Sequence, residues 1–173
     1  IEVKTGPHHQ RPPYVAEVGL SNSPTLTKNL ETLFWIRDIL EKGAKWYAEK
    51  GTGGNKGFHS FSVSGRVKEP GVKVAPAGIT IQELIDKYCG GMKEDHIFKG
   101  YLPGGASGGI LPDSMNKIPL DYGSKELTDA GCFLGSAAIV VLSDKDSMKD
   151  VALNLLKFFE EESCGQCTPC RVG

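Results

Sequence analysis

Three cysteines, Cys164, Cys167 and Cys170, stand two residues apart in "ESCGQCTPCRVG" near the carboxyl end. On one tight loop that spacing turns the sulfurs inward, the arrangement that holds three irons of a cubane 4Fe-4S cluster and leaves its fourth corner open. Zinc sites pair two C-x-x-C knuckles or add distant histidines, and neither second spacing is present. Zinc and free redox thiols stay open as the other readings of the trio. Thr168 followed by Pro169 has the cap-then-first-turn order, so a helix is expected to begin there, with Cys170 near its positive end and Arg171 beside it. Cys89, at the end of an expected helix, and Cys132, at the start of an expected strand, read as small apolar core residues. The fourth ligand is therefore expected beyond Gly173, and the chain is expected to be a piece cut inside its cluster domain.

Five cysteines, an odd number without a secretion signal, make a disulfide framework a poor explanation and favour a reducing, cytoplasmic setting. The formal net charge of -1 gives no general reason to expect nucleic acid or an anionic membrane as partner. No run approaches the roughly 18 apolar residues that span a bilayer.

Elements must position those thiols. Residues 1–25 hold Pro7, Pro12, Pro13 and Pro24 and read as extended, ordered loop. Leu33, Ile36, Leu40, Ala44 and Tyr47 mark one face of a helix from Leu30 that breaks near Gly43. "KGTGGNKG", residues 50–57, is the expected internal boundary. "FHSFSVSGRV", "KEPG" and "VKVAP" then predict a hairpin. Thr80 and Glu83 have capping-box spacing for a helix with Ile81, Leu84, Ile85 and Tyr88 on its apolar face, stopped by Gly90 and Gly91. "IFKGYLPGG" reads as a strand, "GGASGG" as a tight turn because the Lys-Ser/Thr of a phosphate loop is missing, and residues 112–131 carry no clear period. Cys132 to Leu142 reads as a continuous buried strand. Asp144 is expected to cap a last helix along Met148, Val151, Ala152, Leu155 and Phe159 that packs one face and ends in Glu160, Glu161 and Glu162. His59 and His96 read as isolated surface or packing residues. Hairpin, helix, strand, strand is the order of a β-grasp-like domain.

"ESCGQCTPCRVG", "PTLTKNLETL", "SVSGRVKEPGVK" and "LPGGASGGIL" together resemble the NADH- and FMN-binding subunit of respiratory complex I and its relatives in soluble formate dehydrogenases and NAD-reducing hydrogenases. "VKEPGVKVAPAGITIQELIDKYCGGM" and "IPLDYG" most resemble the β (diaphorase) subunit of NAD-dependent, molybdenum- or tungsten-containing formate dehydrogenase. The resemblance implies an α+β chain in three parts: the tail of a Rossmann-like flavin domain over 1–53, a β-grasp (soluble-ligand-binding) domain over 54–143, and the start of an α-helical 4Fe-4S bundle over 144–173. It implies FMN, NAD(H) and a 4Fe-4S cluster as cofactors, and as partners a molybdenum or tungsten catalytic subunit and a small iron-sulfur subunit. The implied function is electron transfer between NAD(H), FMN and the cluster, with the flavin loop upstream, so this stretch alone is expected not to oxidise NADH. The equivalent subunit of complex I or of an NAD-reducing hydrogenase is one alternative. A non-catalytic, zinc-containing β-grasp binding module is another, from a different class.

Four further residues take roles from the same resemblance. In "QRPPY", Arg11 occupies the family's basic position and Tyr14 the aromatic one that stacks on the NADH adenine, with the prolines as a rigid platform. In "TKNLETL", Lys28 and Asn29 occupy positions near the flavin phosphate, Lys28 standing where the family usually has a first asparagine.

Overall fold

A computed structural model describes residues 13–165, 167, 168 and 172. The chain divides into two compact units, one through Glu41 and one from Lys42 onward.

In the first unit a loop folds back on itself after Pro13. The backbone N–H of Thr25 donates to Val15 O at 3.0 Å, that of Gly19 to Ser23 O at 2.8 Å, and that of Leu20 to Thr25 Oγ1 at 2.9 Å. Ser21 and Asn22 turn the chain with φ of 55° and 57°, the left-handed region that short polar side chains tolerate. Helix α1 (Leu30–Lys42) follows, with Glu31 in its first turn, Lys42 in its last, and an Arg37–Glu41 pair at 2.8 Å. Glu31 and Lys42 each sit where the helix dipole favours their charge. The expected break is found: Gly43, at φ 90°, separates α1 from α2 (Ala44–Ala48). Along the expected apolar face of α1, Leu33, Ile36 and Leu40 are exposed.

The second unit is a five-stranded mixed sheet. The hairpin forms as β1 (Phe58–Gly65) and β2 (Gly71–Pro76), in antiparallel register from Phe58 opposite Pro76 to Val63 opposite Gly71. Alternation along β1 buries Phe61 and Val63 and leaves Ser62 and Ser64 in solvent, the period of a sheet with one face on a core. Helix α3 (Ile81–Tyr88) has a complete capping box between Thr80 and Glu83 and buries Ile81, Leu84 and Ile85. Gly90 and Gly91, at φ 67° and 89°, end it, the second returning its N–H to Ile85 O at 3.0 Å. Strands β3 (Phe98–Leu102) and β4 (Leu111–Pro112) pair antiparallel, and β5 (Ala138–Ser143) runs antiparallel to β3 and parallel to β1. The strand order is β2-β1-β5-β3-β4. Phe61, Tyr101, Leu84, Ile85, Leu120, Leu134 and Ile139 belong to one buried cluster.

Three expectations change. The apolar run from Cys132 is a strand only from Ala138; Gly135 and Ala137, at φ 53° and 54°, make a turn before it. Cys132 and Leu134 are buried nonetheless, covered as a loop over the core, so composition alone could not separate loop from strand. Asp144 does not cap the last helix, α5 (Met148–Glu161): Ser147 does, accepting from Asp150 N at 3.3 Å, while Asp144 Oδ1 accepts from Ile97 N at 2.8 Å. No residue of α5 is buried, so the expected packed face is open. The weakly periodic stretch holds a short α4 (Lys125–Asp129), capped by Ser124.

Candidate functional site

α5 delivers the cysteines. Val151 and Leu155 are half-buried, whereas Leu156, Phe158 and Phe159 face solvent. No basic residue lies in the last turn to offset the carboxylates that close the helix. Cys164 and Cys167 follow on exposed backbone, both free thiols. Gly165 between them has φ 65° and donates its N–H to Ser163 Oγ at 3.4 Å. A residue with a Cβ would resist that left-handed conformation. Thr168 is helical, so it stands inside the new helix rather than at the cap the sequence reading gave it, and Pro169 lies outside the described residues. Cys170 and Arg171 lie outside the described residues. Among the described residues no three His, Cys, Asp or Glu side chains gather as a metal site. Two soft sulfur donors, exposed and not engaged with each other, fit an iron-sulfur group better than a hard cation.

The remaining cysteines are of another kind. Cys89 and Cys132 are in the core, and burial pushes both thiols up from their usual range. Neither is poised as a thiolate ligand.

In the first unit, Tyr14 is exposed at 56% and its carbonyl accepts from Glu17 and Val18 N–H at 2.8 and 2.9 Å. The hydrogen bond between Thr25 and Val15 brings the segment that leads to Lys28 back beside Tyr14. Lys28 and Asn29 are exposed at the start of α1, where the Asn29 carbonyl accepts from Leu33 N at 3.2 Å. Asn29 thus stands at the helix's N-cap, beside backbone donors that lack helical partners. Arg11 lies outside the described residues.

Other side-chain groups carry no sequence signal. His59, read as isolated, places Nε2 at 2.6 Å from Asp121 Oδ1 and packs edge-to-face on Tyr122, with ring centroids 4.9 Å apart. Its partner is 62 residues away, so no spacing announces it. Arg66 meets Asp146 through two guanidinium nitrogens, Nη2 at 2.6 Å and Nε at 3.1 Å. That fork holds the Asp146 carboxyl well below the usual carboxylate range, helped by the Ser143 backbone and hydroxyl. His96, also read as isolated, lies with Nδ1 at 2.8 Å from Ser143 Oγ. The "GGASGG" turn is tight as expected, Gly108 N–H donating to Gly105 O at 3.1 Å, and a Cβ on Gly104 would collide with the carbonyls of Phe133 and Leu134.

A mixed α/β sheet unit followed by a helix that leads to closely spaced cysteines has counterparts in subunits of NADH oxidoreductases. Residues 150–173 match the family described as the NADH-ubiquinone oxidoreductase-F iron-sulfur binding region. The whole chain is 37% identical to the F 2 subunit of NADH-quinone oxidoreductase of Rhizobium meliloti (strain 1021), covering 41% of that protein. It is 38% identical, again over its whole length, to the F subunit of NADH-quinone oxidoreductase of Rickettsia felis, covering 41% of it. An NAD+-reducing [NiFe]-hydrogenase in its H2-reduced state shares the fold with a TM-score of 0.73 and 28% identity, over 94% of this chain and 27% of the hydrogenase chain. The resemblance read from the sequence is thus shown as a likeness to these F subunits and to this iron-sulfur binding region, and the chain spans about two fifths of the F subunits it matches.

Proposed function

We propose that the chain is part of an electron-transfer subunit that moves electrons between NAD(H), FMN and a 4Fe-4S cluster held by Cys164, Cys167 and Cys170. The observation that carries this reading is the C-x-x-C-x-x-C end, within residues that match an iron-sulfur binding family. When bound, the flavin would take a hydride from the nicotinamide, and the cluster would carry single electrons onward. This chain's own residues would bind and orient. Tyr14, with Arg11, would offer a flat ring and a cation to the adenine end of the dinucleotide. Lys28, Asn29 and the positive end of the α1 dipole would meet the flavin phosphate.

The order β2-β1-β5-β3-β4, with a helix after the first hairpin, supports assigning residues 54–143 to a β-grasp domain. Residues 1–53 would then close a Rossmann-like flavin domain, and 144–173 would open the helical cluster domain. Partners are the other subunits of an oxidoreductase. The wording of "VKEPGVKVAPAGITIQELIDKYCGGM" and "IPLDYG" favours an NAD-dependent formate dehydrogenase, with a molybdenum or tungsten catalytic subunit and a small iron-sulfur subunit in the cytoplasm. Among the described residues no helix is long and apolar enough to cross a membrane.

The test uses the full-length subunit prepared without oxygen. Iron and sulfide should be present with a brown absorption, and Cys167→Ser should remove the colour and most of the iron. Colourless protein carrying stoichiometric zinc would instead establish the binding-module reading.

A further inference from the structure

The helix that ends in the cysteines is held to the sheet at its root by a network of four side chains. Asp146 directly precedes Ser147, the residue that caps α5. Its Oδ1 accepts from Arg66 Nη2 at 2.6 Å, and its Oδ2 accepts from Arg66 Nε at 3.1 Å, from Ser143 N at 2.9 Å and from Ser143 Oγ at 3.2 Å. Ser143 is fully buried. The Ser143 hydroxyl oxygen also accepts from Lys145 N at 3.3 Å and lies 2.8 Å from His96 Nδ1.

Arg66 is itself fixed. It is the first residue after β1, its N–H donates to Val141 O of β5 at 2.9 Å, and its carbonyl accepts from Lys93 N at 3.0 Å. The network thus joins the ends of β1 and β5 and the 93–96 turn to the first residues leading into α5. α5 buries none of its own residues. With no fully buried side chain along the helix, its direction is set where it leaves the sheet, and a planar guanidinium gripping both carboxylate oxygens fixes orientation as well as distance.

We infer that Arg66 and His96, acting through Asp146 and Ser143, are positioning residues that aim α5 and so place Cys164 and Cys167 relative to the sheet. The aiming of the helix stands on the geometry alone; its importance for electron transfer rests on the function proposed above.

The experiment places a spin-labelled noncanonical amino acid at Ser62 on β1 and another at Lys157 on α5, both exposed positions, in the full-length subunit within its complex. Distances between the labels are read by pulsed dipolar spectroscopy. The native protein should give one narrow distribution. Arg66→Met and Asp146→Asn should each broaden it or shift it by a few ångströms, with the iron content close to native and electron delivery from NADH to the cluster slowed about tenfold. Arg66→Lys keeps the charge but loses the fork and should fall between; it also serves if Arg66→Met fails to accumulate. An unchanged distribution in Asp146→Asn and both Arg66 variants would overturn the inference. Native protein without iron, but with the same dependence of label distance on Arg66, would uphold the aiming role while removing the electron-transfer reading.

Discussion

Asp146 and Tyr14 show what single residues contribute and how unequally they announce themselves. The Asp146 carboxyl is held below the usual carboxylate range chiefly by its hydrogen bonds to Arg66, while burial works against that shift. Folding therefore favours the ionised form: the contribution is complete above the unfolded carboxylate value of about 4 and fades as pH falls toward the lower folded value. Asp146→Asn should lower the melting midpoint at pH 7, and the difference from native protein should shrink as the pH is taken below about 4; a pH-independent difference would rule the linkage out. For Tyr14, whose ring is exposed, alanine in the full-length subunit should raise the apparent KM for NADH roughly three- to tenfold, the worth of one stacked ring, with kcat less affected. Unchanged KM would deny it the adenine. The cysteine trio was legible because its spacing is local, whereas the partners of His59, Arg66 and His96 lie 62, 80 and 47 residues away. Only the folded chain could supply them.

Among the elements, α3 was readable in full because each of its signals is contained in a short stretch: the Thr80–Glu83 box, the three-and-four spacing, and the glycines after it. Thr80→Ala should cost about 1 kcal/mol through the lost cap. Leu84→Ala, which removes a fully buried side chain, should cost about 2–5 kcal/mol. Denaturant melts should rank the two variants in that order. β5 was read too long because a buried loop and a buried strand draw on the same apolar residues, and the turn at Gly135 and Ala137 is written in backbone angle rather than composition. α4, only five residues long, offers too little period to read. The packed face expected of α5 failed for another reason. A helical stripe says that a helix has something to cover it, not that the cover lies in the same stretch of chain.

At the scale of the molecule, the chain holds about two fifths of the F subunits it resembles and exposes apolar side chains on helices in both of its units, among them Leu30 and Phe34 on α1 and Leu156 and Phe159 on α5. Exposed apolar surface of this kind drives association. The 173-residue chain produced by itself should therefore grow in apparent mass with concentration in light scattering, and a full-length subunit should not. A strictly monomeric 173-residue chain would show that those side chains find cover within it. The sheet has its own consequence, for the order of events during synthesis. Its first strand takes its central neighbour from its last, since β1 lies parallel to β5. Until Ser143 has left the ribosome the sheet stays split, with the β1–β2 hairpin waiting for a strand on its inner side. Closing so distant a pair is slow, so Val141→Ala should retard refolding more than Val74→Ala, whose side chain is exposed on β2. The sulfur-bearing loop, made only after α5 has been added, then emerges onto a foundation that has only just set.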